Sequence, residues 1–102
     1  MKFEELQKLA LALPDATEEP HFEKSSFRIK KKIFATYDAK KDLVCVKFTE
    51  MDQSLFAYDP TVIYPVPNTW GKQGWTLIDL KKVKKTVLKD ALEAAYNNVA
   101  KK

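Results

Sequence analysis

The chain has 102 residues and carries 18 basic against 14 acidic side chains, a net charge of +4. A domain of this length buries roughly 65% of its unfolded surface, and a composition that is 45% hydrophobic and 12% aromatic supplies the core, which excludes a disordered chain. No apolar run approaches the roughly 18 residues of a membrane span, and one cysteine excludes an internal disulfide or an all-cysteine zinc site.

Glu4 and Glu5 stand where a secretory leader would be basic. The expectation is therefore one cytoplasmic domain spanning residues 1–102. Its charges are segregated. Residues 1–23 hold six acids against two lysines, whereas residues 28–47 hold Arg28, Lys30, Lys31, Lys32, Lys40, Lys41 and Lys47 against Asp38 and Asp42. A further basic block follows at Lys81, Lys82, Lys84, Lys85 and Lys89. Clustered lysines attract phosphate backbones without reading base sequence; they also keep sheet edges soluble.

Phe3, Leu6, Leu9, Ala10 and Leu13 recur at three- and four-residue spacing, which predicts an amphipathic helix over 2–13 that Pro14 stops. Residues 14–24 read as an acidic connector with a second proline, Pro20. Phe27 and Ile29 then alternate with Arg28 and Lys30, the pattern of a strand with one wet face. Lys31 and Lys32 turn the chain into a second strand, Ile33–Asp38, and the polar run Asp38–Asp42 into a third, Leu43–Phe48. That third strand is apolar at nearly every position and so belongs in the middle of a sheet.

Met51, Leu55 and Tyr58 predict a short second helix. Pro60, Pro65 and Pro67 then limit regular pairing to a short strand near Thr61–Tyr64 followed by an extended loop. Both glycines fall in the segment WGKQGW, which predicts a tight turn into the strand Trp75–Leu80. From about Val83, apolar residues at helical spacing mark a long closing helix. The order α-β-β-β-α-β-β-α packs most simply as an α+β, two-layer domain, with helices on one face of a largely antiparallel sheet.

Catalytic chemistry finds little to stand on. His21 lies among Glu18, Glu19 and Glu23, but one imidazole with flanking carboxylates falls short of the fixed ligand set a metal needs, and a structural or solvent-facing role is expected. Cys45, between Val44 and Val46, is expected to be a small buried hydrophobe. Two glycines three apart admit neither a phosphate-binding P-loop nor a dinucleotide fingerprint. No enzyme activity, cofactor or metal is expected. Trp75, at a strand start, suits a core anchor. Trp70, between the proline loop and Gly71-Lys72, suits an exposed indole able to stack on a base or on a partner side chain.

The motifs LPDATEE with the following HFE, then FRIKKKIFATYD, YPVPNTWGKQGWTLIDL and DALEAAYNNVA, in this order and spacing, resemble the MmcQ/YjbR-like family of small bacterial proteins over essentially the whole chain. The resemblance implies a two-layer α-β3-α-β2-α fold of the secretion-chaperone-like type, and a DNA-binding role by likeness to a double-wing transcription-factor domain. It implies no catalytic residues. Family members often have glycine where this chain has His21-Phe22-Glu23 and Lys30-Lys31-Lys32. The expected function is non-catalytic binding of a nucleic-acid backbone by hairpin tips. Arg28, Lys30, Lys31, Lys32, Lys40 and Lys41 would supply charge, with Trp70 and Lys72 as flanking contacts. The alternative is a protein-interaction domain using the proline-aromatic loop around Trp70.

Overall fold

The computed structural model describes residues 2–21, 24–57, 59–67 and 69–100. These form helix α1 (Phe3–Leu11), strands β1 (Thr17–His21), β2 (Lys24–Ile29), β3 (Lys32–Asp38) and β4 (Leu43–Lys47), helix α2 (Glu50–Phe56), strand β5 (Ile63–Pro65), helix α3 (Thr69–Lys72), strand β6 (Trp75–Asp79) and helix α4 (Lys85–Ala100). The strands make one antiparallel sheet in the order β1-β2-β3-β4-β6-β5. The α+β architecture and element order expected from the sequence hold, with two additions. The acidic connector is the edge strand β1, and the turn before β6 contains the one-turn helix α3.

An edge explains why β1 can carry a proline. Pro20 lacks an amide donor, and a strand with only one neighbour has backbone positions that need none. Its carboxylates and proline also discourage pairing with a foreign strand. Strand β4 sits between β3 and β6, as its continuous apolar character requires.

Alternation divides the sheet into two chemically distinct faces. Phe27, Ala35, Val44, Val46, Thr76, Ile78 and Ile63 share the covered face by register and are all buried. Helix α4 lies across β3 and β4 and buries Leu88, Ala91, Leu92, Ala95 and Val99 against them. Helix α1 adds Leu6 and Ala10. Phe3 stacks on Tyr37 at 4.7 Å between centroids, and the Tyr96 hydroxyl donates to the Pro14 carbonyl at 2.7 Å, tying α4 to the chain that leaves α1. Tyr37 in turn donates to Asp42 Oδ1 at 2.5 Å. Burial, reinforced by that carboxylate, pushes its phenol up to about 12. Among the described residues no buried side-chain polar atom lacks a partner.

A junction of α2, α3, β4 and β6 closes one end of the sheet. Thr49 caps α2, its hydroxyl accepting from the Asp52 amide at 3.1 Å, and Phe56 stacks on Phe48 just beyond β4. The Gln53 side-chain amide donates to the Gly71 carbonyl at 2.8 Å and to Thr76 Oγ1 at 3.0 Å. Both glycines are sterically required. A Cβ on Gly74, whose φ is +105°, would sit 2.0 Å from the Phe48 carbonyl oxygen, and one on Gly71 would sit 2.0 Å from that of Val66. The predicted tight turn is thus a point where backbone meets backbone. Gly74→Ala combines a forbidden φ with a clash and should destabilise the chain by at least about 2 kcal/mol. Urea unfolding followed by tryptophan fluorescence checks this, and an unchanged midpoint would contradict it.

Candidate nucleic-acid interface

Because α1 and α4 both lie on one side, the opposite face of the sheet is left open. A groove of about 390 Å³ crosses it, lined by Lys24, Thr36, Cys45, Val66, Trp70, Trp75 and Leu77. Register explains the membership. Thr36 pairs with Cys45 and Cys45 with Leu77, one residue out of phase with the buried set. The proline loop supplies Val66, whose amide bonds to the Trp75 carbonyl at 3.1 Å, and α3 brings Trp70 alongside. Trp70 is 58% exposed, as expected. Trp75 is no core anchor. It is half-buried and lines both the groove and an adjoining notch of about 200 Å³ formed with Lys32, Ile33, Lys47, Asn98 and Val99. Its position on β6, between buried Gly74 and Thr76, turns it outward. The Lys47 ammonium lies 5.4 Å from the Trp75 ring centroid, within cation–π range, and also reaches the Gln73 carbonyl.

Cys45 is half-buried in the groove floor instead of lying in the core. Burial still raises its thiol to about 11, partly opposed by the nearby Lys24 ammonium. Arg28 is engaged on the open side, its Nε donating to Ser26 Oγ at 3.0 Å and lying 3.8 Å from Glu19 Oε2. The Ser26 hydroxyl donates to the Glu19 carbonyl at 2.8 Å, fixing the edge strand beneath that pair.

The expected basic residues separate into two groups. Lys30 and Lys31 form the two-residue turn between β2 and β3, with Lys32 opposite Ile29. This tip lies at the same end of the sheet as Lys47, Trp75 and α3 with Lys72. Lys40 and Lys41 lie in the β3–β4 connection at the other end, separated by the length of β3, roughly 20 Å at a strand's rise per residue. There Asp38 Oδ1 accepts from both of their backbone amides, and Asp42, Asp79, Lys81 and Lys82 stand close by, the Leu80 amide donating to the Asp42 carbonyl. The structure therefore brings Lys30, Lys31, Lys32, Trp70 and Lys72 to one end, sets Arg28 on the adjoining open face, and leaves Lys40 and Lys41 apart, among carboxylates.

Lys24, Lys47 and Trp75 belong to the site and are missed by the motif reading. The signal for them is parity: each lies out of phase with the residues of its own strand that are buried on the helix-covered face. The side chain of His21 and residues Phe22 and Glu23 lie outside the described residues. Among the described residues no cluster of His, Cys, Asp or Glu is placed to hold a metal ion, and no helix is long and apolar enough to cross a membrane.

Fold and site together define a small two-layer α+β domain that displays one open, aromatic and cationic sheet face. The YjbR family model matches residues 11–98, and the chain belongs to that family. It is also similar to the crystal structure of the Deinococcus radiodurans protein DR2400, which carries the family domain DUF419. The TM-score is 0.84 at 22% identity, covering 99% of this chain and 80% of that one. No curated protein matches the chain.

The Cys45 environment makes a direct check of the groove. With the thiol at about 11, only about one molecule in a thousand is thiolate at pH 8, so reaction with a disulfide reagent should be far slower than that of free cysteine. The rate should climb as pH rises toward 11. Lys24→Met removes the charge that lowers the thiol pKa and should slow the reaction further. Reactivity like free cysteine at pH 8 would contradict this placement.

Proposed function

We propose that this chain is a non-catalytic nucleic-acid-binding domain that uses its open sheet face and the adjoining Lys30–Lys32 end. The observation that carries the reading is the β2–β3 turn. Lys30 and Lys31 have φ of +52° and +69°, both left-handed, as the two central positions of a type I′ hairpin turn require. Asparagine and glycine suit those positions, whereas a left-handed lysine costs roughly 1 kcal/mol. Two lysines held there, next to Lys32 and on the same end as Lys47 and Lys72, form a cationic tip maintained against local backbone preference. Strained positions of this kind cluster where a surface has work beyond folding.

Chemistry on the rest of the face agrees. Among the described residues, the strand carboxylates in phase with this face are Glu19, engaged by Arg28, and Asp38 and Asp79, which lie at the far end and accept amides from the chain that follows them. Phosphate contacts from lysines at a turn tip position a nucleic acid without specifying its sequence. The binding should therefore be strongly salt-dependent and weakly sequence-selective. Lys40 and Lys41 fall outside this surface.

A protein partner is the second reading, supported by the exposure of Trp70 together with Met51 and Leu55 one turn apart on α2. An apolar partner surface there would bind with little salt dependence, which separates the two.

The turn makes the test specific. The double change Lys30→Asn with Lys31→Gly should stabilise the chain by about 1–2 kcal/mol, because it relieves two left-handed lysines. It should nevertheless weaken retention on DNA and reduce the slope of log K against log salt by about 1–2, because two phosphate contacts are lost. Lys40→Gln with Lys41→Gln should leave DNA retention unchanged. Equal loss from both pairs, or no loss from the first, would overturn the assignment.

A further inference from the structure

We infer that the preferred ligand of the open face is a single-stranded nucleic acid whose bases stack on the indoles of Trp70 and Trp75, with its backbone led into the Lys32–Lys47 notch. The inference rests on the nucleic-acid reading above and adds to it the state of the strand and the groups that hold the bases.

The groove floor carries the argument. It consists of two indoles, Val66, Leu77 and the Cys45 thiol, with Thr36 and Lys24 as its polar members. A duplex presents phosphates and base edges to a protein and keeps its base faces inside the stack. Laid over this groove, it would set hydrated phosphates against an apolar floor. An unpaired base offers a flat π-face, the complement an indole requires, and such stacking tolerates any base. Antiparallel sheet faces bearing aromatic residues hold about two or three splayed bases in this way.

The cations are placed to follow the backbone of such a strand. Trp75 lines both the groove and the notch, so the two hollows border the same indole-bearing residue. At the notch Lys47 stands over the Trp75 ring beside Lys32, placing positive charge next to a stacking surface, as base and phosphate alternate along a single strand. At the other end of the groove stands Lys24. The charged groups along these hollows are lysines, which favour phosphates over base edges, so no strong base preference is expected.

The test is competition. The full chain is bound to a fluorescein-labelled oligothymidylate and displaced by unlabelled oligothymidylate or by a mixed-sequence duplex of equal length. The single strand should compete at a concentration at least about tenfold lower than the duplex, and indole emission should fall on binding. Trp70→Ala should weaken single-strand binding at least about fivefold, with Trp70→Phe losing less because it keeps an aromatic face. Trp70 is 58% exposed, so thermal melting of both variants should match the parent and separate lost stacking from lost folding. A duplex that competes equally well, or a Trp70→Ala variant that binds like the parent, would overturn this inference and leave the backbone-binding reading standing. Binding of neither acid at low salt would overturn both.

Discussion

The open face depends on a backbone contact. The Phe48 carbonyl occupies the space where any residue but glycine at position 74 would carry its Cβ, and the Phe48 amide donates back to the Gly74 carbonyl at 3.0 Å. That contact locks the end of β4 to the start of β6. Gly71 makes the equivalent approach to Val66, drawing the proline loop onto α3. Gln53 then bonds across both from α2. With these contacts made, Trp70 and Trp75 are held on one side of the sheet and Phe48 on the other. These contacts add to the Val66–Trp75 backbone bond and the β4–β6 ladder in holding the segment from Val66 to Trp75 against the sheet.

The second determinant is that helices cover only one side. The two long amphipathic helices are consumed on the face that carries Phe27, Val44, Val46 and Ile78. The other face holds residues that tolerate water at their edges, such as threonine, cysteine, tryptophan and lysine, and neither α1 nor α4 lies over it. Such a face is free to meet a ligand, and its aromatic floor with a cationic border narrows the chemistry of that ligand. The twisted hairpin of β2 and β3 carries the tip lysines to the same end, so charge and stacking surface meet at Trp75.

Much of this arrangement is legible in the sequence. Hydrophobic period places α1, β2, β3, β4, α2, β6 and α4, and the paired glycines announce the tight approach before β6. The edge strand β1 is hidden because charged residues and a proline mask its alternation, and its pairing with β2 supplies what its composition does not. Helix α3 is a single turn, too short for any period to show. The candidate site is only half legible. Lys30–Lys32 and Lys40–Lys41 are near neighbours in sequence, yet the strand between them sets them at opposite ends. Trp75 reads as core because strand starts favour buried aromatics, and only pairing with β4 reveals that it faces out. Lys24 and Lys47 carry no motif and become site residues only through parity across four strands.

The central claim is that ligand meets the uncovered sheet face and not the helical one. Backbone and indole amide resonances of the isotope-labelled chain, followed by NMR during titration with oligothymidylate, test this directly. The account predicts shifts at the indoles of Trp70 and Trp75 and along Lys30–Lys32, Cys45–Lys47 and Leu77, with α1, the body of α4 and Lys40–Lys41 unmoved. Shifts centred on the helices or on the Lys40–Lys41 end, or a spectrum unchanged at low salt, would contradict it.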